Sequence, residues 1–408
     1  MSKTAEDRSD EAARAPHRAG TAGEVFRVFL KLGLTSFGGP IAHLGYFHAE
    51  LVRRRGWISD QGYADLVALA QFLPGPASSQ VGFGMGLLRA GPAGAVAAFL
   101  AFTLPSAMAM LAFAYGASLF GDATGRGIIA GLKIVAVAIV AQAVWGMAKT
   151  LCPDRARATI ALGAVLVVVA FAGAGGQVAA IGLGAAAGLF WCRGEDPKAS
   201  AGSGFGVSRR VGLACLALFV VLMLALPLLR TAGEAPALAL VDAFYRSGSL
   251  VFGGGHVVLP LLEAETVRTG WVSADAFLTG YGLAQAMPGP LFTFAAYLGA
   301  LIPPGGILGA ALALAALFLP GFLLLVGVLP FWDGLRARPA AQALMRGANA
   351  AVVGVLGAAL YDPVFTSAIH EVRGFALALT CFVLLTVHKA PPWSVVVVGA
   401  LGGILIAG

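Results

Sequence analysis

Read along the chain, apolar residues gather into long unbroken runs rather than alternating one by one. Thr159 to Leu189 and Val211 to Leu229, for example, carry no charge. About 20 apolar residues cross the hydrocarbon layer of a bilayer as a helix, whereas barrel strands would show short alternating segments. The pattern predicts an all-α polytopic membrane protein with about thirteen candidate spans, over 24–46, 62–88, 93–119, 127–148, 158–174, 176–192, 211–229, 239–262, 275–300, 304–329, 341–361, 372–388 and 392–407. Polar stretches divide the chain further. They give an expected disordered tail over 1–23, a first repeat over 24–192, a charged connector over 193–210, and a linking span with a second repeat over 211–408.

The runs repeat themselves. Phe37-Gly38-Gly39 recurs as Phe252-Gly253-Gly254, and Gln71-Phe72-Leu73-Pro74-Gly75-Pro76 recurs as Gln285-Ala286-Met287-Pro288-Gly289-Pro290. Between them Phe29 matches Phe244, Lys31 Arg246, Gly33 Gly248, Glu50 Glu265 and Gly56-Trp57 Gly270-Trp271, and Leu104-Pro105 later matches Leu319-Pro320. The offset is 215 residues, falls to 214 across one missing residue near Arg54, then returns to 215. Span one corresponds to span eight, an odd shift, so the halves are expected to be inverted repeats. Helices broken by glycine and proline at matching places of two such halves point to a secondary transporter and to its binding site.

Composition agrees with the bilayer: 59% of residues are hydrophobic and 12% charged, and the mean hydropathy is +0.85. The net charge of +7 could suggest nucleic acid, but the basic residues sit in short connections beside apolar runs, where they orient the chain. Their distribution places the N-terminus in the cytoplasm, with Arg53-Arg54-Arg55 as the dissenting cluster: either an external exception or the end of a re-entrant hairpin. Cys152, Cys192, Cys215 and Cys381 lack metal spacing, and no cofactor is implied.

The breaks carry the candidate chemistry. Glycine loosens the helix at Phe37, Gly38, Gly39 and Pro40 and again at Phe252, Gly253, Gly254 and Gly255, which frees amides at a new helix N-terminus to face an anion. Pro74-Gly75-Pro76 and Pro288-Gly289-Pro290 split two more helices. Gln71, Ser78, Ser79 and Gln80 in the first half, and Gln285 and Thr293 in the second, stand beside these breaks as neutral donors. Lys31 and Arg246 are matched cations six residues before the glycine breaks, each able to neutralise an anion or to reach for an interface. Lys133, in a segment resembling the one that holds Asn349, ranks behind them. His43 and His256 lie just beyond the breaks. Glu50 with Arg53, and Glu265 with Arg268, suit gating or structural ion pairs, because a carboxylate repels an anionic substrate.

At Phe37-Gly38-Gly39-Pro40-Ile41-Ala42-His43-Leu44, Gln71 to Pro76 with Gln80, Phe252 to Pro260 and Gln285 to Pro290, the chain resembles the chromate ion transporter family in its long form with two fused domains. The resemblance implies an inner-membrane exporter of chromate that confers resistance to it, with sulfate as a similar tetrahedral dianion. It leaves homo-oligomerisation open. Thr293 stands where many members carry asparagine, keeping a donor but shortening its reach. A dianion leaving an inside-negative cell gains about 4.6 kcal/mol per 100 mV, so export needs no ATP, and no P-loop motif is present. A membrane-embedded enzyme is the alternative of another class, but the chain shows no His-Glu-x-x-His pair and no nucleophile elbow.

Overall fold

The computed structural model describes residues 20–116, 123–171, 173–193, 206–232, 235–252 and 255–407. Gly253 and Gly254, most of the expected tail and the middle of the connector therefore lie outside the described residues. Among the described residues the chain is helical, with no strand.

The first half contains α1 (Ala22–Thr35), α2 (Gly39–Phe47, prolonged by a wider turn over His48–Arg54), α3 (Asp60–Phe72), α4 (Ala77–Gly116), α5 (Ala123–Leu151), α6 (Arg155–Ala170) and α7 (Ala174–Trp191). α4 is two arms, because Ala90 and Gly91 leave helical geometry at a sharp kink. Helix α8 (Arg209–Ala232) links to α9 (Pro236–Ser249), α10 (Val258–Thr266), α11 (Ala274–Ala284), α12 (Phe294–Leu301), α13 (Gly306–Val328), α14 (Pro339–Ala359), α15 (Val372–Thr386) and α16 (Pro392–Ala407). Each element of one half has its partner 214 or 215 residues away, down to the serine caps: Ser59 accepts from the Gly62 amide to start α3, and Ser273 accepts from Ala276 to start α11. Such caps satisfy amides that a new helix leaves orphaned.

Ion pairs show that α1 and α2 run in and back. Arg55, just past the end of this hairpin, comes within 3.9 Å of Glu24 near its start, and Lys31 meets Glu50 at 3.6 Å. Arg89, closing the first arm of α4, pairs with the same Glu24 at 3.1 Å and lies over Trp57, so α3 and that arm form a second hairpin returning to the same face. The other half repeats this on the opposite face. Arg246 meets Glu265 at 3.1 Å across α9 and α10, and Arg230 near the end of α8 meets Asp242 at 3.2 Å and lies over Trp271.

Four of the thirteen expected spans, over 24–46, 62–88, 239–262 and 275–300, are thus re-entrant hairpins and not crossings. Nine traverses remain among the described residues. Among the described residues six helices are long and apolar enough to cross a membrane; α6, α15 and α16 run beside them as shorter traverses. Five traverses now separate the starts of the repeats instead of seven, and five is also odd, so the inversion stands. The halves are interleaved: Gly131 of α5 closes on Gly399 of α16, and Gly188 of α7 closes on Ala343 and Gly347 of α14, at distances that leave no room for a side chain. Small residues let transmembrane backbones approach this way.

The hairpins also settle the charge pattern. Arg53, Arg54 and Arg55 lie on the same face as Arg89, Arg155, Arg157, Arg193, Arg209, Arg210, Arg336, Arg338 and Lys389, whereas Arg126, Arg230, Arg268 and Arg373 lie on the other. The dissenting cluster therefore joins the basic face, and Arg268 lies opposite it. With the four native cysteines replaced, Arg53→Cys and Arg268→Cys should react with an impermeant thiol reagent from opposite faces of sealed vesicles. Labelling of both from one face would refute the inverted arrangement.

Candidate functional site

The breaks of the two halves meet, and they meet crosswise. Gly38 and Gly39 turn with φ of 99° and 78°, Gly75 with 125° and Gly289 with 92°, a region open to glycine and costly for most other residues. The Gly75 amide donates to the carbonyl of Val251 at 2.7 Å, and the Gly289 amide donates to the carbonyl of Ser36 at 2.9 Å. Val251 and Ser36 are equivalent positions, as are Gly75 and Gly289, so each proline-glycine-proline turn docks against the glycine break of the opposite half. The glycine breaks touch each other too, since a Cβ on Gly255 would lie 3.1 Å from Pro40, its equivalent in the first half. Four helix starts converge here: α2 at Gly39, α4 at Ala77, and α10 and α12 through short tight turns at Gly255–Val257 and Leu291–Thr293. Helix N-termini present positive partial charge and unpaired amides, a setting for an anion.

The two halves furnish this centre with different side chains. Gln80, fully buried, donates through Nε2 to the carbonyls of Pro74 at 3.1 Å and Gly321 at 2.9 Å, stapling the first proline-glycine-proline turn to α13. His43 Nδ1 meets Ser78 Oγ at 3.3 Å, with its ring edge-on to Phe102 at 5.3 Å. Buried atoms without a hydrogen-bond partner cluster on the same elements: Ser36 Oγ, His43 Nε2, Ser79 Oγ, Gln80 Oε1 and, on the second arm of α4, Thr103 Oγ1. The equivalents of Ser36, His43, Ser78 and Thr103 in the second half are Val251, Val258, Phe292 and Phe318, all buried and apolar. Phe322 stacks on Phe83 of α4 and Phe318 lies tilted against Phe99, packing that side with rings. Unpaired buried polar atoms are rare because each forfeits its hydration, so these five, carried by the first half's breaks and by α4, mark where a polar ligand would be satisfied; others lie on Gln177, Gln285, Trp332 and Asn349.

Other sequence candidates fall elsewhere. Lys31, with 58% of its side chain exposed, is paired with Glu50, and Arg246 is clamped by Asp242 at 3.0 Å as well as by Glu265. The matched cations and matched glutamates therefore pair with each other across the hairpin mouths and are not gathered at the breaks. Arg54 and Arg55 hold Glu50 with bonds of 3.0 Å and 2.8 Å, the place expected for Arg53. Burial would raise that carboxyl, but the hydrogen bonds from Arg55 and Arg54 outweigh it and hold it below the usual carboxylate range. Arg268 joins Glu263 at 3.3 Å, not Glu265. Lys133 reaches Asp275 at 2.7 Å.

In the second half His256 Nδ1 meets the hydroxyl of Tyr281 at 2.9 Å, beside Gln285, whose Nε2 is buried and unpaired. Thr293 gives its hydroxyl proton to the Pro290 carbonyl at 2.8 Å, so it is not the free donor that its place after Pro290 suggested. Gln71 is exposed. Ser36, Thr103, Ser106 and Tyr281 were not singled out from the sequence. Comparing the repeats position by position, and asking where one is polar and the other apolar, would have found the first three.

Comparison with known proteins converges on one family. A sequence model described as Chromate transporter matches residues 23–189 and again 238–404. A probable chromate transport protein of Synechococcus elongatus is 26% identical over 415 residues, 95% of this chain and 96% of the relative. Chromate transport proteins of Pseudomonas aeruginosa and Cupriavidus metallidurans are each 30% identical, over 83% and 91% of this chain and 80% and 90% of the relatives. No solved structure matches the chain.

Proposed function

The chain belongs to the chromate transporter family, and we propose that it is a secondary transporter exporting chromate across the inner membrane, so that the cell carrying it resists the ion. The observation that carries this reading is the crosswise meeting of four helix starts around buried, unpartnered polar atoms. Non-helical backbone survives at membrane depth where protein or a hydrated path covers it, and paired breaks in inverted repeats are where secondary transporters bind their cargo. Gly38, Gly39, His43, Ser79 and Gln80 are the groups proposed to hold the oxyanion. Lys31 is the exposed cation that an arriving anion reaches first, and the Lys31–Glu50 and Arg246–Glu265 pairs gate the two hairpin mouths. Rocking of the interleaved halves would alternate access.

Short basic loops remain in the cytoplasm, so the face rich in arginine, and with it the N-terminus, is assigned there. Each negative charge leaving an inside-negative cell then gains about 2.3 kcal/mol per 100 mV, which drives export without a nucleotide. The relatives' naming as transport proteins favours this reading over a membrane-embedded enzyme. Sulfate, of the same shape, is the second substrate to test.

In inverted vesicles, an imposed inside-positive potential should drive uptake of labelled chromate that excess sulfate suppresses only weakly. Preferential sulfate uptake would make chromate incidental, and flux of neither would overturn the transport reading.

A further inference from the structure

Resting on that reading, we propose that the anion crosses as its singly protonated form, a tetrahedral oxyanion HXO4⁻ whose proton is donated to Oε1 of Gln80. One negative charge, not two, then moves per anion. Proton and anion travel together, and no covalent bond forms or breaks.

Two independent features lead here. The first is the lack of a buried cation: among the described residues every lysine and arginine is at least partly exposed, and the buried polar groups at the breaks are serine, threonine, glutamine and histidine. The cost of taking an ion out of water grows with the square of its charge, so a dianion is about four times as expensive as a monoanion in the same neutral site.

The second is the fixed orientation of Gln80. Its Nε2 donates to two carbonyls, of Pro74 and Gly321. Carbonyls cannot donate, so the amide cannot turn over, and Oε1 must be the free end; it is buried and unpaired. A fully deprotonated oxyanion offers acceptors only and would be repelled by that oxygen, whereas an X–O–H satisfies it. The hydroxyls of Ser36, Ser79 and Thr103, also unpaired, can donate to the remaining oxygens.

Selectivity follows without any difference in size. Chromate takes up its first proton close to neutral pH, but sulfate and selenate do so only in strong acid. A site built to receive a substrate hydroxyl rejects the analogue lacking it by about four decades.

His43 of α2 is the buried ionisable group beside the break, and α4, which carries Gln80, contributes Arg89, paired with Glu24 at the hairpin mouth, and the exposed Tyr115. α1 contributes Glu24, Arg27 and Lys31, with Glu24 and Lys31 paired at the hairpin mouth. α3 contributes Asp60, paired with His48, Tyr63, bonded to the Leu44 carbonyl, and Asp65, paired with Arg336. α12 contributes Tyr297, bonded to the Ala276 carbonyl, and α13 contributes no ionisable residue.

The test uses the full chain in sealed liposomes, with chromate and selenate as probes at fixed potential and equal pH on both sides. Chromate should accumulate about 50-fold per 100 mV, the ratio for one charge, rather than about 2,500-fold for two. Initial rates at limiting chromate should fall about tenfold per pH unit above the first protonation, and selenate should not be carried. Two charges per anion, a flat pH profile or selenate flux equal to that of chromate would overturn the proposal while leaving the transporter reading intact. No chromate flux at any pH would overturn that reading instead. His43→Gln should keep the pH slope in whatever flux survives; its loss would move the proton to His43 and refute the role of Gln80. Gln80→Met should flatten the slope and admit selenate, whereas low flux with an unchanged slope would show a purely structural glutamine.

Discussion

A Gly38→Leu protein is expected to reach the membrane at near-normal abundance and to lose chromate transport by about two decades, the scale on which a misplacement of about 1 Å acts at a reacting or binding centre. Gly38 turns with φ of 99°, and a Cβ there would meet only Ala42, at 3.1 Å. The cost is therefore one of backbone conformation, about 1–2 kcal/mol, which a helical membrane protein can absorb. Relief of that strain would swing the start of α2, and with it His43, away from Ser78 and the docked turns. Gly38→Asn separates conformation from space, because asparagine tolerates the left-handed region, and should recover much of the flux. Vesicle uptake normalised to abundance reads both variants. Normal transport by Gly38→Leu would remove the glycine break from the site. Gly253→Leu, in the equivalent place by register, is expected to behave in the same way.

Asp242→Ala should be the most damaging change outside the breaks, lowering stability by about 3–5 kcal/mol, the usual result of removing one partner from a buried charge network. Asp242 is 1% exposed and holds both Arg230 and Arg246, so its loss unties α8 from α9 and leaves Glu265 as the one carboxylate on Arg246. Its counterpart by register is Arg27, which lies exposed on α1. Arg27→Ala should change stability by no more than about 0.5 kcal/mol. Thermal unfolding of the two proteins in the same lipid compares them, and equal midpoints would mean that water screens the Asp242 network.

Much of this architecture was legible because a repeat leaves two copies of each instruction. Phe37-Gly38-Gly39 beside Phe252-Gly253-Gly254, and Pro74-Gly75-Pro76 beside Pro288-Gly289-Pro290, identified the breaks that the structure brings together, and an odd number of crossings gave the inversion. What composition could not show was the path of the chain between them. Two arms of 14 and 9 residues, as in α1 and α2, have the length and apolarity of one span, and the meeting of Arg55 with Glu24 is what reveals the return. Charge was misleading in a similar way. Lys31 and Arg246 looked like anion ligands because cations in apolar runs are expensive, but the matching glutamates that satisfy them lie 19 residues further on, at a distance only the fold closes. The polar cluster was half legible, since His43, Ser78, Ser79 and Gln80 stood out beside the breaks. Ser36 and Thr103 did not, being ordinary residues in apolar surroundings until their partners Val251 and Phe318 are set against them.

The bonds from Gly75 to Val251 and from Gly289 to Ser36 mean that neither repeat contains both parts of its own central joint. A chain with one repeat could rebuild that joint only with a second molecule inserted the other way up. Identical copies, sharing one distribution of basic loops, would enter the bilayer in the same sense and could not face each other so. Such a half-length protein would need a sister of opposite charge pattern. The fused chain has no such need: its extra crossing, α8, delivers the second repeat already inverted, at a fixed stoichiometry of one to one.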